Sequence, residues 1–302
     1  MISILRELKD TLTVSIYHTK DIAKHDALIV FRKTFKDLSD AGLEGRVEGK
    51  NILDLGCGQR FPFSLQCAAS GANVSAVDME YVKPGPIFVK FFNAMRYNGV
   101  KRALKLLIRT ILFDKKYYST IESYLGIPIK EYKNSINFLL ADPTSSNYKL
   151  ESGSFDLIAS NAVLEHVTNV DNFASECNRL LSDDGYLYII VHNYFSLSGG
   201  HNLNWAFPDT DPPKNIPAWD HLRKNKYPTH VYLNKKTPEE YQEIFSKHLN
   251  IISFQGIGKD HEPGQKEGEK FLTPEIRNEL KGYSDELLLT RAYLIICNKK
   301  RN

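Results

Sequence analysis

Residues 51–60 read NILDLGCGQR, and this stretch decides the fold. An apolar run ends at Leu55, and two glycines, Gly56 and Gly58, follow it one residue apart. When a glycine turn joins a strand to the N-terminus of a helix, a ligand can approach the backbone closely. The stretch therefore predicts the first strand and the ligand-binding turn of a parallel α/β sheet.

Acidic residues on either side of the turn narrow the class of ligand. Asp78 closes the next apolar run, 78 − 58 = 20 residues after Gly58, where a carboxylate can take both hydroxyls of a ribose. The dinucleotide fingerprint GxGxxG needs a third glycine, and Phe61 stands in its place. Asp54 is unfavourable beside a pyrophosphate but suits a cationic ligand. The turn thus favours a nucleoside with a positive group and no phosphates, which is the pattern of S-adenosylmethionine.

Apolar runs alternate with helical patterns along most of the chain. Runs rich in Ile, Leu, Val and Ala predict strands at 51–56, 73–79, 136–142, 155–161, 185–193, 249–256 and 290–299. Helical spacing predicts helices at 62–70, 171–182 and 238–248, and helical structure over 1–40. The alternation is typical of a parallel sheet with helices on both faces.

Four segments depart from this alternation. They are an N-terminal helical segment (1–45), a basic helical insertion (80–134), an acceptor loop (194–236) and an insertion before the last strand (257–288). Segments this long inside a compact domain are usually functional or folded on their own. We expect a single domain, 1–302, that carries these four segments around one sheet.

The charge is concentrated in one region. The net charge is +3, and residues 81–121 hold nine Lys or Arg and one acid (9 − 1 = +8), which leaves 3 − 8 = −5 elsewhere. A local patch indicates a local anionic partner rather than a nucleic-acid-binding protein with a basic domain. The four cysteines form no CxxC pair, which argues against a zinc site and a secreted disulfide framework. With no signal-peptide pattern and no uncharged run of about 18 residues, the expected location is the cytoplasm.

Several segments together resemble class I S-adenosylmethionine-dependent methyltransferases of the type 11-like kind. They are LDLGCG, VDM, LLADPTS, FDLIASNAVLEHV and RLLSDDGYLYI, followed by a final antiparallel strand pair. The resemblance covers about residues 50–80, 136–193 and 237–299. It implies a Rossmann-like seven-stranded sheet of order 3-2-1-4-5-7-6, mostly parallel, with strand seven antiparallel.

The resemblance also implies roles for individual residues. Asp54, Gly56 and Gly58 are expected along the methionine part of the cofactor. Asp78 is expected to hold the ribose, with Met79 beside the adenine. Asp142 is expected to accept from the adenine amino group, and Asn161 to contact the methionine part near the transferred methyl. Gln59-Arg60 departs from the family, in which another glycine is frequent here.

The acceptor is expected at the ends of the fourth and fifth strands, because the cofactor takes the ends of the first three. Those ends run into Glu165-His166 and into HNYFSLSGGHNLNW, 192–205. A hydroxyl acceptor needs a base, and histidine is the usual one near neutral pH. The candidates, in order of preference, are His201, then His192, then His221 or His166. His166 also suits packing of the cofactor site, and His192 also suits capping of the fifth strand.

Aromatic and polar residues in the acceptor loop suit a small polar acceptor or a glycan. The expected substrate-binding residues are Trp205, Trp219, His221 and Arg223. The GGH and PxWDHLR elements look like bacterial methyltransferases of surface-glycan synthesis. Asp209, Asp211, Asp220, His201 and His221 are also metal-ligand types, but no ligand spacing stands out among them, and no metal site is predicted.

Other interpretations of acceptor and class stay open. The acceptor can be a nitrogen or a lipid or quinone-like ring, and the chain can be a cofactor-binding module without chemistry. The intact acids and glycines and the elaborate loop disfavour the last. Nucleic acid is not expected, because SNAVLEH stands where an NPPY-type base-flipping signature would follow the fourth strand.

The basic insertion carries apolar residues at helical spacing with Lys and Arg between them, over 88–113. One interpretation is a helical lid that packs on the core and keeps a solvated charged face. The other is contact with an anionic acceptor or, through 81–121, a peripheral contact with a membrane.

Overall fold

The computed structural model describes residues 15–142, 150–208, 215–229 and 231–300. Its centre is a seven-stranded sheet of order β3-β2-β1-β4-β5-β7-β6. The strands are β1 (Asn51–Leu55), β2 (Asn73–Asp78), β3 (Asn137–Leu140), β4 (Phe155–Asn161), β5 (Leu181–His192), β6 (Leu249–Ile257) and β7 (Ala292–Lys299). β7 is antiparallel to both β5 and β6, and the other pairs are parallel. The predicted Rossmann-like fold and strand order are confirmed.

Helices cover both faces of the sheet. The N-terminal part is helical over 15–25 (α1), passes through a π-helical stretch (Asp26–Lys33) and ends in α2 (Thr34–Asp40). The helices that connect the strands are α3 (Pro62–Ala69), α7 (Val170–Leu180) and α8 (Pro238–His248). Two apolar clusters result, one that includes the N-terminal helices and α3, and one that includes α7 and α8. Apolar strands buried on both faces produce this arrangement.

The basic insertion consists of three helices between β2 and β3. They are α4 (Ile87–Asn98), α5 (Val100–Leu112) and α6 (Asp114–Leu125), followed by a 3₁₀ turn (Ile129–Asn134). α6 joins the main core through Tyr117 and Ile121, which are buried. α4 and α5 share a small apolar cluster with one another, formed by Ala94, Ala103 and Leu106.

The acceptor loop and the segment before β7 fold together. The loop contains two 3₁₀ turns, Leu203–Trp205 and Asp220–Leu222, and the later segment contains α9 (Pro274–Glu279) and α10 (Asp285–Leu289). Their apolar side chains form one separate cluster: Leu197, Trp205, Ile216, Ala218, Trp219, Leu280, Leu288 and Leu289. This cap lies after β5, at the carboxyl edge of the parallel strands.

Two predicted boundaries were wrong. A helix was expected over 171–182 and a strand from 185, but α7 ends at Leu180 and β5 begins at Leu181. A register shift lies between Phe155 and Leu157 where β4 pairs with β5. The extra pairing of Phe155 with Leu181 extends β5 beyond its apolar run, which is why hydropathy alone missed it. Within the described ranges, no helix has the length and apolar character needed to cross a bilayer.

The contrast between the core and the insertion gives a test of the fold. Phe173 on α7 is fully buried, whereas Phe88 on α4 is 75% exposed. We expect Phe173→Ala to lower the free energy of unfolding by about 3–5 kcal/mol, because it leaves a cavity in the core. Phe88→Ala should change it by no more than about 0.5 kcal/mol. Urea unfolding measures both, and equal losses would contradict the packing described above.

Candidate active site

The glycine turn connects β1 to α3 in a backbone conformation that glycine favours. Gly56 and Gly58 have φ angles of 80° and 67°. The N–H of Gly56 donates to the carbonyl of Val77 on β2 (2.8 Å). A Cβ on Gly56 would lie 2.2 Å from a methyl of Val163, whereas a Cβ on Gly58 would meet nothing within 4 Å. The turn therefore packs tightly below Gly56 and leaves open space beside Gly58.

Asp78 fixes this turn from the end of β2. Its Oδ2 accepts from the N–H of Gly58 (2.8 Å), and its Oδ1 accepts from the N–H of Glu80 (2.7 Å). Burial raises the pKa of Asp78, and these two hydrogen bonds oppose that effect. The carboxylate thus lies directly beside the open space at Gly58.

Asp54 lies on β1, two residues before Gly56. The side chain is buried, and its Oδ2 accepts from the hydroxyl of Ser64 on α3 (2.5 Å). Burial raises the pKa of Asp54 to about 7, against the hydrogen bond from Ser64. A cationic group next to such an acid favours its charged form.

Phe61, which departs from the dinucleotide fingerprint, and Gln59-Arg60, which depart from the pattern of the family that the sequence resembles, each make defined contacts. Phe61, in place of the third glycine, adopts φ 37° and packs on Phe138 of β3 at 4.8 Å between ring centroids. Arg60 Nε donates to Asp114 Oδ1 at the start of α6 (2.8 Å). Arg109 of α5 donates to Gln59 Oε1 (3.0 Å). Gln59-Arg60 therefore attaches the basic insertion to the glycine turn.

The remaining expected cofactor residues lie along the same edge of the sheet. Met79 follows β2 and is 64% exposed. Asp142 follows β3 and is exposed. Asn161 ends β4, is partly buried, and pairs with Ile190 of β5. The carboxyl ends of β1, β2, β3 and β4 thus carry every residue that the sequence assigned to the cofactor.

Three histidines and one glutamate meet where β4 and β5 end. We call Glu165, His166, His192 and His201 the histidine cluster. His192 Nδ1 lies 3.1 Å from His201 Nε2. The rings of His166 and His201 are 4.8 Å apart and nearly perpendicular. All three predicted base candidates of the cluster are therefore brought together.

Burial sets the protonation of this cluster. It lowers the pKa of His201 to about 4 and the pKa of His192 well below its usual value. Both imidazoles are therefore neutral at pH 7 and able to accept a proton or a cation. Burial raises the pKa of Glu165 to about 8.

Glu165 is the residue whose importance the sequence analysis did not recognise. Its side chain is 3% exposed, and its Oε1 has no hydrogen-bond partner among the described residues. Oε1 lies 3.7 Å from His201 Nε2 and 4.0 Å from His166 Nε2. The sequence did offer one indication of this role, because Glu165 directly precedes the candidate histidine His166.

A line of hydrogen bonds behind His192 was also missed. His192 Nε2 lies 2.9 Å from the hydroxyl of Ser198, and that hydroxyl donates to Glu267 Oε1 (2.5 Å). Arg291 in turn forms an ion pair with Glu267. These partners lie up to about 100 residues apart in the sequence, so no local sequence motif indicates that they are in contact.

A cavity of about 130 Å³ lies in the cap, beside the residue that precedes His201. Its lining is mixed aromatic, aliphatic and polar, and includes Tyr194, Leu197, Gly200, Asn202, Trp205, Ile216, Asp220, His221, Val231 and Lys235. His221 Nε2 lies 2.8 Å from the carbonyl of Tyr194, and burial lowers the pKa of His221 to about 4. Trp205 and His221 are thus the two expected substrate-binding residues at this cavity.

The other two expected substrate-binding residues lie elsewhere in the cap. Trp219 is fully buried in the cap cluster, where its Nε1–H donates to the carbonyl of Phe195 (3.2 Å). Arg223 forms a bidentate ion pair with Glu279 at 2.6 Å for both bonds. Both residues hold the cap together in this structure. Asp209 and Asp211 lie outside the described residues.

The comparisons with known proteins concern the whole domain. Residues 27–248 match the model of a family described as a methyltransferase domain. No curated protein shows significant sequence similarity to the chain.

Solved structures resemble the fold at low identity. A protein from Listeria monocytogenes described as a putative S-adenosylmethionine-dependent methyltransferase is 14% identical, covering 89% of this chain and 98% of its own, with TM-score 0.47. An S-adenosylmethionine-dependent methyltransferase from Mesorhizobium loti is 17% identical, covering 88% and 98%, with TM-score 0.47. The phosphoethanolamine N-methyltransferase 2 of Haemonchus contortus, in complex with S-adenosyl-L-methionine, is 16% identical, covering 84% and 49%, with TM-score 0.43. These likenesses say nothing about the acceptor.

The family match spans more than half of the 302 residues and includes the glycine turn and the ends of β4 and β5. The chain therefore belongs to this family of methyltransferase domains, whose methyl donor is S-adenosylmethionine.

Proposed function

We propose that this protein transfers a methyl group from S-adenosylmethionine to a hydroxyl oxygen of a sugar, glycolipid or other small polar acceptor. The observation that carries this proposal is the histidine cluster at the same sheet edge as the glycine turn, with a cavity in the cap that is lined by the two neighbours of His201 in sequence, Gly200 and Asn202. A buried neutral histidine suits removal of a hydroxyl proton. Aromatic side chains suit the apolar faces of sugar rings.

The residues at the glycine turn fit the methyl donor. Open space lies beside Gly58, and the carboxylate of Asp78 borders it, which suits a ribose diol. Asp54 offers a buried carboxylate for an ammonium group, with Gly56 and Asn161 nearby along the same edge. Met79 and Asp142, at the ends of β2 and β3, would lie on the adenine side. S-adenosylmethionine supplies a methyl group already activated by its sulfonium.

The chain itself supplies alignment and proton removal. The acceptor oxygen attacks the methyl carbon in line with the breaking carbon–sulfur bond, which leaves S-adenosylhomocysteine. The hydroxyl proton passes to the histidine cluster, with His201 as the first candidate base, then His192 and His166. Trp205 and His221 would contact the acceptor in the cavity.

The basic insertion favours an acceptor that is attached to a lipid. Phe88, Phe92, Ile111 and Leu112 are each at least 59% exposed, on helices that also carry many Lys and Arg. Exposed apolar side chains among basic ones are typical of helices that bind anionic membrane surfaces. This observation supports a peripheral membrane contact through 81–121, next to the glycine turn.

The cofactor assignment is tested at Asp78. We expect Asp78→Ala to weaken S-adenosylmethionine binding by about 100-fold, because a charged acceptor of hydrogen bonds is lost. Isothermal calorimetry measures the affinity. The control is Asp156→Ala, which removes a carboxylate that also accepts from a backbone N–H (of Asn51) but lies at the opposite edge of the sheet. Retained affinity in Asp78→Ala would refute the assignment.

The acceptor chemistry is tested with labelled cofactor. Incubation with cell-extract and glycan fractions, followed by mass analysis, should identify a product that has gained one methyl group on oxygen. We then expect His201→Ala to lower turnover by about 100-fold with unchanged cofactor affinity. His248→Ala, on α8 and paired with Asp171, is the matched control. Unchanged turnover in His201→Ala removes His201 from proton transfer, and a product methylated on nitrogen would overturn the O-methyl proposal.

Membrane contact is tested by sedimentation with phosphatidylcholine–phosphatidylglycerol vesicles. The protein should co-sediment at low salt and leave the vesicles at high salt, because screening weakens the attraction between basic side chains and anionic lipid. The double variant Phe88→Ser, Ile111→Ser should bind less. Ile252→Ser changes a partly exposed apolar residue on β6 and should bind normally. Absence of binding at low salt would rule out the contact.

A further inference from the structure

The orientation of His192 is fixed by its hydrogen bonds. Glu267 is ion-paired with Arg291, so its carboxylate accepts the hydroxyl proton of Ser198. That hydroxyl must then accept from His192 Nε2–H (2.9 Å). His192 therefore presents the lone pair of its Nδ1 to the middle of the histidine cluster.

His166 is oriented in the same way by the backbone. Its Nδ1 lies 2.9 Å from the carbonyl of Tyr232, which can only accept, so Nδ1 carries the proton. The lone pair of His166 is therefore on Nε2, which lies 4.0 Å from Glu165 Oε1. Histidines that bind metals commonly donate their other N–H to a carbonyl or an acidic group in this manner.

Glu165 adds a buried acidic oxygen without a partner. Its side chain is 3% exposed, and Oε1 makes no hydrogen bond among the described residues. Such an oxygen costs free energy unless something positive or hydrogen-bonding faces it. Oε1 lies 3.7 Å from His201 Nε2 and so faces the same centre as the nitrogens.

The potential ligand atoms of these residues converge on one centre. One ligand atom from each of Glu165, His192 and His201 lies within 4.8 Å of the other two. Two ligands that are each about 2.1 Å from a shared ion are about 3.0–3.4 Å apart. The 3.1 Å between His192 Nδ1 and His201 Nε2 matches this spacing. Without a cation this contact is a hydrogen bond that His201 Nε2–H donates to His192 Nδ1, so cation binding requires the His201 tautomer with its proton on Nδ1. Glu165 Oε1, at 3.7 Å from His201 Nε2, would have to move closer to the two nitrogens.

We infer that Glu165, His192 and His201 bind a divalent transition-metal cation, with His166 available as a fourth ligand. Imidazole and carboxylate ligands suit Zn²⁺, Mn²⁺ or Fe²⁺, whereas Mg²⁺ and Ca²⁺ prefer all-oxygen sites. Arg291 is the nearby positive group, and its pairing with Glu267 reduces its repulsion of a cation. The sequence analysis predicted no metal site, because Glu165 lies in a different segment from the two histidines, 27 residues before His192.

A cation at this site would activate the acceptor hydroxyl for methyl transfer. This role of the cation rests on the proposed function. A cation at the cluster would bind the acceptor hydroxyl and lower its pKa, so that the hydroxyl proton is lost to solvent water near pH 7 and the oxygen can attack the methyl group. In that form His201 acts as a ligand through Nε2 rather than as the base. The predicted loss of turnover in His201→Ala is the same for both roles, so turnover alone does not separate them.

Direct metal binding separates them. Untagged protein is stripped with a chelator and titrated with Zn²⁺ by calorimetry and with Co²⁺ by visible absorption. We expect one equivalent to bind, and the affinity to fall at least about tenfold in Glu165→Gln and in His192→Gln, which remove a ligand. His248→Gln, a partly exposed histidine outside the cluster, should bind like the unaltered protein.

Further measurements keep the outcome unambiguous. Circular dichroism verifies that each variant is folded. If Glu165→Gln and His192→Gln unfold, His201→Gln replaces them as the ligand variant, because the side chain of His201 is 20% exposed. Ser198→Ala leaves all ligands in place but removes the hydroxyl that keeps the proton of His192 on Nε2. It should weaken Zn²⁺ binding by about 10–100-fold. No saturable binding to the unaltered protein, or equal affinity in the folded ligand variants, would overturn the metal site. S-adenosylmethionine calorimetry on the same samples reports separately on the methyltransferase proposal.

Discussion

The parallel register between β4 and β5 is the constraint on which the candidate site depends. Asn161 pairs with Ile190, and the next N–H, that of Ala162, donates to the Ile190 carbonyl. This register brings Glu165, just after β4, beside His192, the last residue of β5. Side chains alternate between the two faces of a strand, so a shift of one residue would turn His192 away from Glu165. The antiparallel partner β7 holds β5 in place from the other side.

Much of the fold could be predicted from sequence, for a physical reason. Parallel strands buried on both faces read as short apolar runs, and NILDL and FDLIAS are visible without any knowledge of the contacts. The glycine turn and Asp78 belong to one strand–turn–helix–strand unit, so their spacing along the chain reflects their spacing in space. The family resemblance supplied the strand order, and the sheet has that order.

The candidate site was less predictable because its contacts are long-range. The hydrogen bonds from Ser198 to Glu267 join two insertions, and nothing near Ser198 in the sequence indicates its partner. Aromatic content drew attention to the predicted acceptor loop, but it did not separate Trp205, at the cavity, from Trp219, inside the cap. Composition identifies residues suited to binding, whereas tertiary packing decides which of them face a cavity.

The attachment of the basic insertion to Gln59-Arg60 has a consequence for how the two parts respond to each other. Both side chains belong to the turn that borders Gly58, and both contact helices of the insertion. Any partner that holds α5 and α6 in one position therefore also restricts the conformations of the turn. By thermodynamic linkage, occupancy of the turn then changes the affinity of the insertion for that partner by the same factor. Gln59 and Arg60 thus couple the conformation of the turn to that of the insertion.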